Sequence, residues 1–578
     1  MNDISARIQA LPPEKRAILE KLLEERSPGA EEASSRPVFE PPSTPTEQIL
    51  AQAWEQVLGV SRVGLRDSFL ALGGDSIQCV QVVARARQAG LNLTNRLLFE
   101  RPVLSDLAAI VEPLPAYAEP QEPVVGKAPL TPIQRWFFEL DLENRAHWNQ
   151  SVLLEAPFEV EQPHWQTAFD ALVAHHDALR LRFVEDEDGV RQVFSDVAPA
   201  AFERIDLTAV PSAEADDRLR AECVRLQRSL DLARGPLFRA ALLCFGRGRA
   251  DRLLLAAHHL TVDGLSFRIL IEDLQRALDQ LAAGRPIRLP LKTASFRKWA
   301  ELRAAPLHQR EVLERADFWR SIRPADPLPR DFDRGRNSEE SAETMTIELD
   351  QTTTERLLRE PTRRQEPLQA LLLGALLEAF RPWSGDALLV ELEGHGRDLA
   401  LEGADVSRTV GWFTALYPVR LEAGDNLAGS VASVGRALAA VEGRGAEYGA
   451  LRYLTAPGTL DKPLPVLTPE VLFNYLGRFG GLEAGTAFRL EDEAPAGLFD
   501  PQGRRAQILQ FFGGVFSGRL RFHCIHSRNL HRPETIRALL ERFERRLREL
   551  AGESGLSADP GFTAEDLRRI RGLAGGNR

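Results

Sequence analysis

Three short stretches put residues able to move protons or carry a covalent group where the chain can turn sharply. In LGGDSIQ, Gly73 and Gly74 permit a tight backbone approach, and Asp75 precedes Ser76 at an expected helix start. Taken alone, that serine is an N-cap. In HHLTVDG, His258 and His259 follow an apolar run, and Asp263 and Gly264 lead into a helix. A bare pair of histidines is weak evidence, since His175 and His176 form another, but only the first pair is followed by Asp-Gly. In LLVELEGHGRD, Glu393 closes a β-rich run just before Gly394-His395-Gly396. Taken alone, it is a solvent-facing carboxylate beside a plain turn. No lysine or helix follows it in the manner of a phosphate loop. An imidazole and a carboxylate together suit inversion of a carbon centre, which must lose a proton on one face and gain one on the other.

The elements that must position these residues fall into distinct units. At 578 residues the chain has length for roughly four domains. Its 44% hydrophobic and 27% charged residues suit a globular protein with several cores. The formal charge is −11, with no long basic run, so neither a nucleic acid nor another polyanion is an expected partner. Four scattered cysteines, Cys79, Cys223, Cys244 and Cys524, show no zinc spacing or disulfide framework and suit a reducing cytoplasm. The N-terminus lacks an apolar signal segment, and the apolar stretch around Leu368–Phe380 is too short and interrupted to span a bilayer, so no membrane partner is expected.

Residues 27–44 and 112–129 are Pro-rich and low in large aliphatics, the composition of linkers. Between them, helical spacing predicts helices over Thr46–Leu58, Ser76 to about Ala89, and Leu104–Val111. Beyond Pro129, helical stretches such as Phe267–Leu281, Pro367–Phe380 and Pro533–Leu550 alternate with β-rich runs. Those runs include Ser151–Leu154, Arg252–Ala257, Ala387–Leu392, Leu416–Leu421 and Val471–Leu476. So large an α/β region predicts two lobes. The expected division is residues 1–44 N-terminal helix and linker, 45–114 small helical unit, 115–128 linker, 129–310 first lobe, 311–556 second lobe and 557–578 tail.

From TPTEQILAQAWEQVLGV through LGGDSIQCVQVVARARQAGLNL to RPVLSDLA, the small unit resembles a peptidyl carrier protein of non-ribosomal peptide synthetases. The resemblance implies an all-α four-helix carrier. It also implies that Ser76 is the attachment point of 4′-phosphopantetheine, added by a separate phosphopantetheinyl transferase. Asp75 is the variant that this family associates with carriers serving an epimerization domain.

LTPIQRWFF, HWNQSVLL and HHLTVDG resemble the condensation-domain superfamily, which implies two chloramphenicol-acetyltransferase-like lobes arranged as a V. LLVELEGHGRD, SRTVGWFTALYPVRL, YGALRYL and PEVLFNYLGRF resemble the epimerization set in order and approximate spacing, and the DFGW-type motif of condensation domains is not visible. The resemblance implies His259 and Glu393 as the proton carriers, with His258, Asp263 and Gly264 supporting them and Asp263 held structurally. Asn474 and Tyr475 either position the pantetheine and polarise a carbonyl or pack as a buried pair. His395 and Arg397 are expected to shape their loop or to pair with a carboxylate. Phe267, Asp398, Glu447 and the HCIHS stretch depart from the family pattern and bear on substrate shape rather than on proton transfer.

The expected activity is inversion of the α-carbon of an aminoacyl or peptidyl thioester carried on Ser76. The alternatives are an amide-forming condensation domain with its carrier and an inactive docking or recruitment domain. The resemblance further implies an adenylation domain in trans or upstream and a downstream D-selective condensation domain. The segments Met1–Arg26 and Phe562–Leu573 read equally as docking elements or as edge helices.

Overall fold

The structure is a computed structural model that describes residues 39–74, 76–114, 119–156, 160–187, 189–197, 202–246, 248–305, 310, 312–332, 335–397, 404–441, 445–456, 458–479, 486–491 and 495–553. Met1–Arg26, Asp75, Asp398 and Phe562–Leu573 lie outside the described residues.

The N-terminal unit holds α1 (Pro45–Leu58), α2 (Ser76–Gln88), α3 (Asn95–Glu100) and α4 (Leu104–Ala108). Helix α1 starts where TPTE dictates: Thr44 accepts from the Glu47 amide and the Glu47 carboxylate accepts from the Thr44 amide, a capping box. Its apolar stripe buries Leu50 and Trp54, and Trp54 meets Phe69 edge-on at 5.5 Å. Helix α4 stops three residues short of the expected Val111. The unexpected α3 is capped by Thr94, which accepts from the Leu97 amide.

The large region then runs β1 (Gly126–Ala128), α5 (Pro132–Glu139), β2 (Asn149–Ala156), α6 (Gln162–His175), β3 (Leu181–Asp186), β4 (Gly189–Phe194), β5 (Phe202–Asp206), α7 (Ala215–Gln227), β6 (Phe238–Cys244), β7 (Asp251–His258), α8 (Gly264–Ala282) and α9 (Phe296–Ala304). It continues with α10 (Ala316–Ser321), β8 (Ala342–Glu348), α11 (Gln351–Arg364), α12 (Leu368–Ser384), β9 (Ala387–Gly394), β10 (Ala415–Glu422), α13 (Leu427–Val441), α14 (Gly445–Tyr453), β11 (Val471–Phe479), β12 (Arg489–Leu490), β13 (Leu509–Phe516), β14 (Arg519–Ser527) and α15 (Pro533–Leu550).

Two main sheets organise it. Among the described residues, one has five strands in the order β12-β2-β7-β6-β5, and the other six in the order β10-β9-β11-β13-β14-β8. The β3–β4 hairpin, with β1 at its edge, forms a third. Helix α12 is apolar nearly all round and is buried from Ala370 to Phe380, the mark of a central core helix rather than a surface one.

The division at residue 310 needs one correction. Strand β12 pairs with β2 of the first sheet, and Val406, Val410, Trp412, Phe413 and Phe488 belong to the first core. Sequence order separates these segments from the first sheet, and burial of their large apolar side chains returns them to it.

Candidate active site and carrier attachment site

The first half of the site is built by β2 and β7, which pair antiparallel with Asn149 opposite His258. That register lays HWNQS beside HHLTVDG. His258 is fully buried: its Nε2 meets the Arg145 carbonyl at 2.8 Å and its Nδ1 accepts from the Leu260 amide at 3.2 Å. Burial pushes it down to about 3, so it stays neutral and holds the turn.

His259, half-buried, lies between indoles. It stacks on Trp148 at 5.0 Å and tilts against Trp412 at 4.5 Å. Its Nδ1 sits 2.9 Å from the Val262 carbonyl, which can only accept, so Nδ1 carries the hydrogen and Nε2 is the basic nitrogen. The Gln150 amide donates to that Nε2 at 2.8 Å. Burial lowers the His259 pKa to about 4. The Gln150 Oε1 is buried with no partner among the described residues, so turning that amide over presents an acceptor to a protonated ring.

Glu393 comes from the other sheet. Strand β9 lies between β10 and β11, with Glu393 opposite Leu416 of β10. Val390 and Leu392 enter the second core, and Phe473 and Tyr475 of β11 pack with them. The pleat therefore turns Glu391, Glu393 and Asn474 to the opposite face. The Asn474 side-chain amide donates to the Glu393 carboxylate, and the Gln507 amide donates to Glu391. Burial, then the charge of Glu391, raises Glu393 to about 7, and burial raises Glu391 likewise to about 7.

A buried ion pair ties the two halves together. One Arg397 Nη lies 2.9 Å from both carboxylate oxygens of Asp263. Arg397 follows Glu393 by four residues, and Asp263 follows His259 by four. Asp263 also caps α8, accepting from the Ser266 amide at 2.8 Å, so its lone pairs are committed to structure. Arg397 donates further to the Thr409 carbonyl at 2.7 Å and lies over the Phe413 ring at 3.9 Å. Gly396, at φ 67, fits this turn because an added Cβ would lie 1.7 Å from the Phe413 carbonyl oxygen. Gly264 is exposed, and a Cβ there would meet nothing within 4 Å.

The structure thus pairs Asp263 with Arg397 and Asn474 with Glu393, sets His259 against Gln150, Trp148 and Trp412, and packs Tyr475 into the second core. Sequence reasoning missed Glu391, Gln150, Trp412 and Gln507. Only Glu391 left a local sign: two glutamates at alternate positions of an apolar strand share one face.

On the carrier, Ser76 opens α2, and its side chain lies outside the described residues, as does Asp75. Of the two preceding glycines, Gly74 is confined by an aromatic ring and Gly73 by its left-handed backbone. A Cβ on Gly74 would lie 2.4 Å from the Phe69 ring, and one on Gly73, at φ 89, would lie 2.6 Å from an Arg478 Nη. Such a close-packed approach to a 13-residue helix start fits a covalent phosphate on Ser76, since backbone N–H groups there favour an anion.

A condensation-domain family model matches residues 124–557, and a phosphopantetheine-attachment-site model matches residues 48–111. The chain is 40% identical over 538 residues to chondramide synthase cmdD of Chondromyces crocatus, covering 91% of this chain and 14% of that one. It is 33% identical to tyrocidine synthase 1 of Brevibacillus parabrevis, covering 89% of this chain and 48% of that protein. The chain thus spans less than half the length of either relative. Among solved structures, the epimerization domain from the third module of tyrocidine synthetase B matches with a TM-score of 0.70 and 32% identity, over 76% of this chain and 98% of that domain.

The large region belongs to the condensation-domain superfamily and is joined to a phosphopantetheine-bearing carrier. The pairing is that of a peptidyl carrier–epimerization didomain of the non-ribosomal peptide synthetases.

Proposed function

We propose that the large region inverts the α-carbon of an aminoacyl or peptidyl group carried on Ser76. What supports this reading is that His259 follows β7 and Glu393 ends β9, strands of different sheets, and that the Asp263–Arg397 pair joins the turns after them.

When bound, phosphopantetheine holds the acyl group as a thioester, whose carbonyl makes the α-proton more acidic. The residues do the rest. Near neutral pH, His259 is an unprotonated imidazole with a basic Nε2, while Glu393 retains a proton in part of the population. The pair then holds one proton between two bases, the state that inversion needs. Removal by one group and delivery by the other leaves the pair in the complementary state, which serves the reverse direction. Asn474 orients the Glu393 carboxylate, and Trp148 and Trp412 fix the plane of the imidazole.

On this reading the amino acid is activated by an adenylation domain, in trans or upstream. A phosphopantetheinyl transferase installs the arm, and a downstream D-selective condensation domain draws one stereoisomer from the mixture. The test is deuterium wash-in at the α-carbon of aminoacylated holo-protein. His259→Ala and Glu393→Gln should each slow inversion by about 10²–10⁴-fold. A double variant that still incorporates deuterium at the wild-type rate would sink the proposal, as would transfer of the acyl group to a second carrier without inversion.

A further inference from the structure

We propose that Arg505 is a positioning residue for the proton carriers: three hydrogen bonds away from Glu391, it sets through Gln510 and Gln507 which end of an amide that carboxylate meets. The consequence for the reaction rests on the epimerase reading, whereas the orientation of the amides does not.

Sheet register lays out the span. Glu391 of β9 stands opposite Leu472 of β11, and Leu472 stands opposite Gln510 of β13. Glu391 and Gln510 therefore lie in one row, two strands or about 10 Å apart. Gln507, just ahead of β13, closes that gap: its side chain bonds to Glu391 on one side and to Gln510, at 3.1 Å, on the other. Gln510 in turn meets an Arg505 Nη at 2.9 Å. Arg505 is only 3% exposed and is itself held in place. Its amide donates to the Asn337 carbonyl at 2.8 Å, its carbonyl accepts from the Asn337 side chain at 3.1 Å, and the same Nη donates to the Ile525 carbonyl at 3.2 Å.

The chemistry of these groups allows one direction only. A guanidinium has donors and no acceptor, so Gln510 must turn its oxygen to Arg505. Its nitrogen is then the end that meets Gln507, and because an amide nitrogen donates, Gln507 accepts with its oxygen. The Gln507 nitrogen is left facing Glu391. Each orientation follows from the one before it, and the buried cation starts the series. Glu391 accordingly receives a donor, which favours its charged form against the burial that disfavours it. That charge in turn helps Glu393, two residues on along the same face, keep its proton. Tyr448 and Tyr453 of α14 also feel the Glu391 charge, but burial raises both, so they stay protonated near neutral pH. At the other end, Glu339, Cys524 and His526 feel the charge of Arg505.

The test uses the full-length protein and two readouts. The first, free of any reaction, is carbon-13 NMR of glutamate carboxyls against pH, with Glu391→Gln and Glu393→Gln identifying the two lines. Arg505→Met and the half-buried Gln510→Leu each release the series, so that Gln507 can turn its oxygen to Glu391 and favour the protonated form. The Glu391 line should then titrate at higher pH and the Glu393 line at lower pH, by about 0.5 pH, a roughly threefold change in the ratio of protonated to ionised carboxyl. Arg505→Lys, which can only donate, should restore part of both displacements. The second readout is the alkaline limb of inversion, which should move to lower pH in Arg505→Met as in Glu391→Gln, and no further in the double variant. Titrations that match wild type in both Arg505→Met and Gln510→Leu overturn the proposal. So does a double variant in which the two displacements add, since Arg505 would then act on Glu393 without Glu391. Titrations that move as expected in a protein whose wild type does not invert its substrate uphold the series and sink the epimerase reading alone.

Discussion

His259 just after β7 and Glu393 at the end of β9 are both titratable, and the same physical cause drives the two in opposite directions. Burial strips water from both, penalising the charged form of each. The imidazole of His259 is therefore held down at about 4 and the carboxyl of Glu393 held up at about 7. The supports differ too. At β7 the ring is fixed by two indoles and one amide, whereas at β9 a second carboxylate, Glu391, adds its charge to the effect of burial. A base and an acid able to coexist near neutral pH need no exotic residue, only two ordinary ones buried differently.

Breaking the link between the two ends should have the largest effect. Arg397→Met leaves the Asp263 carboxylate buried and unpaired, with an expected loss of about 3–5 kcal/mol in denaturant unfolding. A double change to Asp263→Leu with Arg397→Met should recover much of that stability, because the stranded charge is gone, while inversion stays impaired because the turns are no longer clamped.

The pH profile separates the two ends next. On the proposed mechanism, Glu393 loses its deliverable proton as pH rises through about 7, so inversion should fall while exchange through His259 on one face continues. As pH falls through about 4, His259 becomes protonated and no base remains. Inversion measured against pH should therefore fall on both sides, and deuterium exchange should persist beyond the alkaline limb. Exchange and inversion that fall together there would show that one group does both tasks.

Glu391→Gln sharpens the comparison further. Removing the neighbouring negative charge takes away one cause of the raised Glu393 pKa, so the alkaline limb should move to lower pH, with a several-fold loss of inversion above neutrality. An unmoved limb would mean that burial alone sets Glu393. The smallest effect is expected at the β7 end, where Gln150→Leu removes one hydrogen bond to Nε2. That bond is worth about 1 kcal/mol net, or roughly a fivefold change in rate.

How far the site could be read from the chain depended on how local its signals were. Ser76, His259 and Glu393 sit in compact motifs, each with its own turn glycines or Asp-Gly, and the Asp263–Arg397 pair joins the turns that follow His259 and Glu393. The pairing of Arg397 with a carboxylate was anticipated, though its partner 134 residues away was not. The β3–β4 hairpin was overlooked despite Gly189 at its turn. Strands β6 and β13 were missed because buried strands lose the polar alternation that marks half-exposed ones. Asn474 and Tyr475 entered as one pair, and only the pleat of β11 sends the first to Glu393 and the second into the core.

By itself, the sequence determined the chemistry available: an attachment serine, an imidazole before Asp-Gly, a strand-end carboxylate, and helices whose caps and apolar spacing are written within a few residues. The tertiary structure alone decided which of these meet, how far burial shifts the imidazole and the carboxylate, and which arginine reaches the carrier. Those outcomes depend on contacts across a hundred residues or more and on water excluded by both sheets together, and neither quantity is carried by any local stretch of chain.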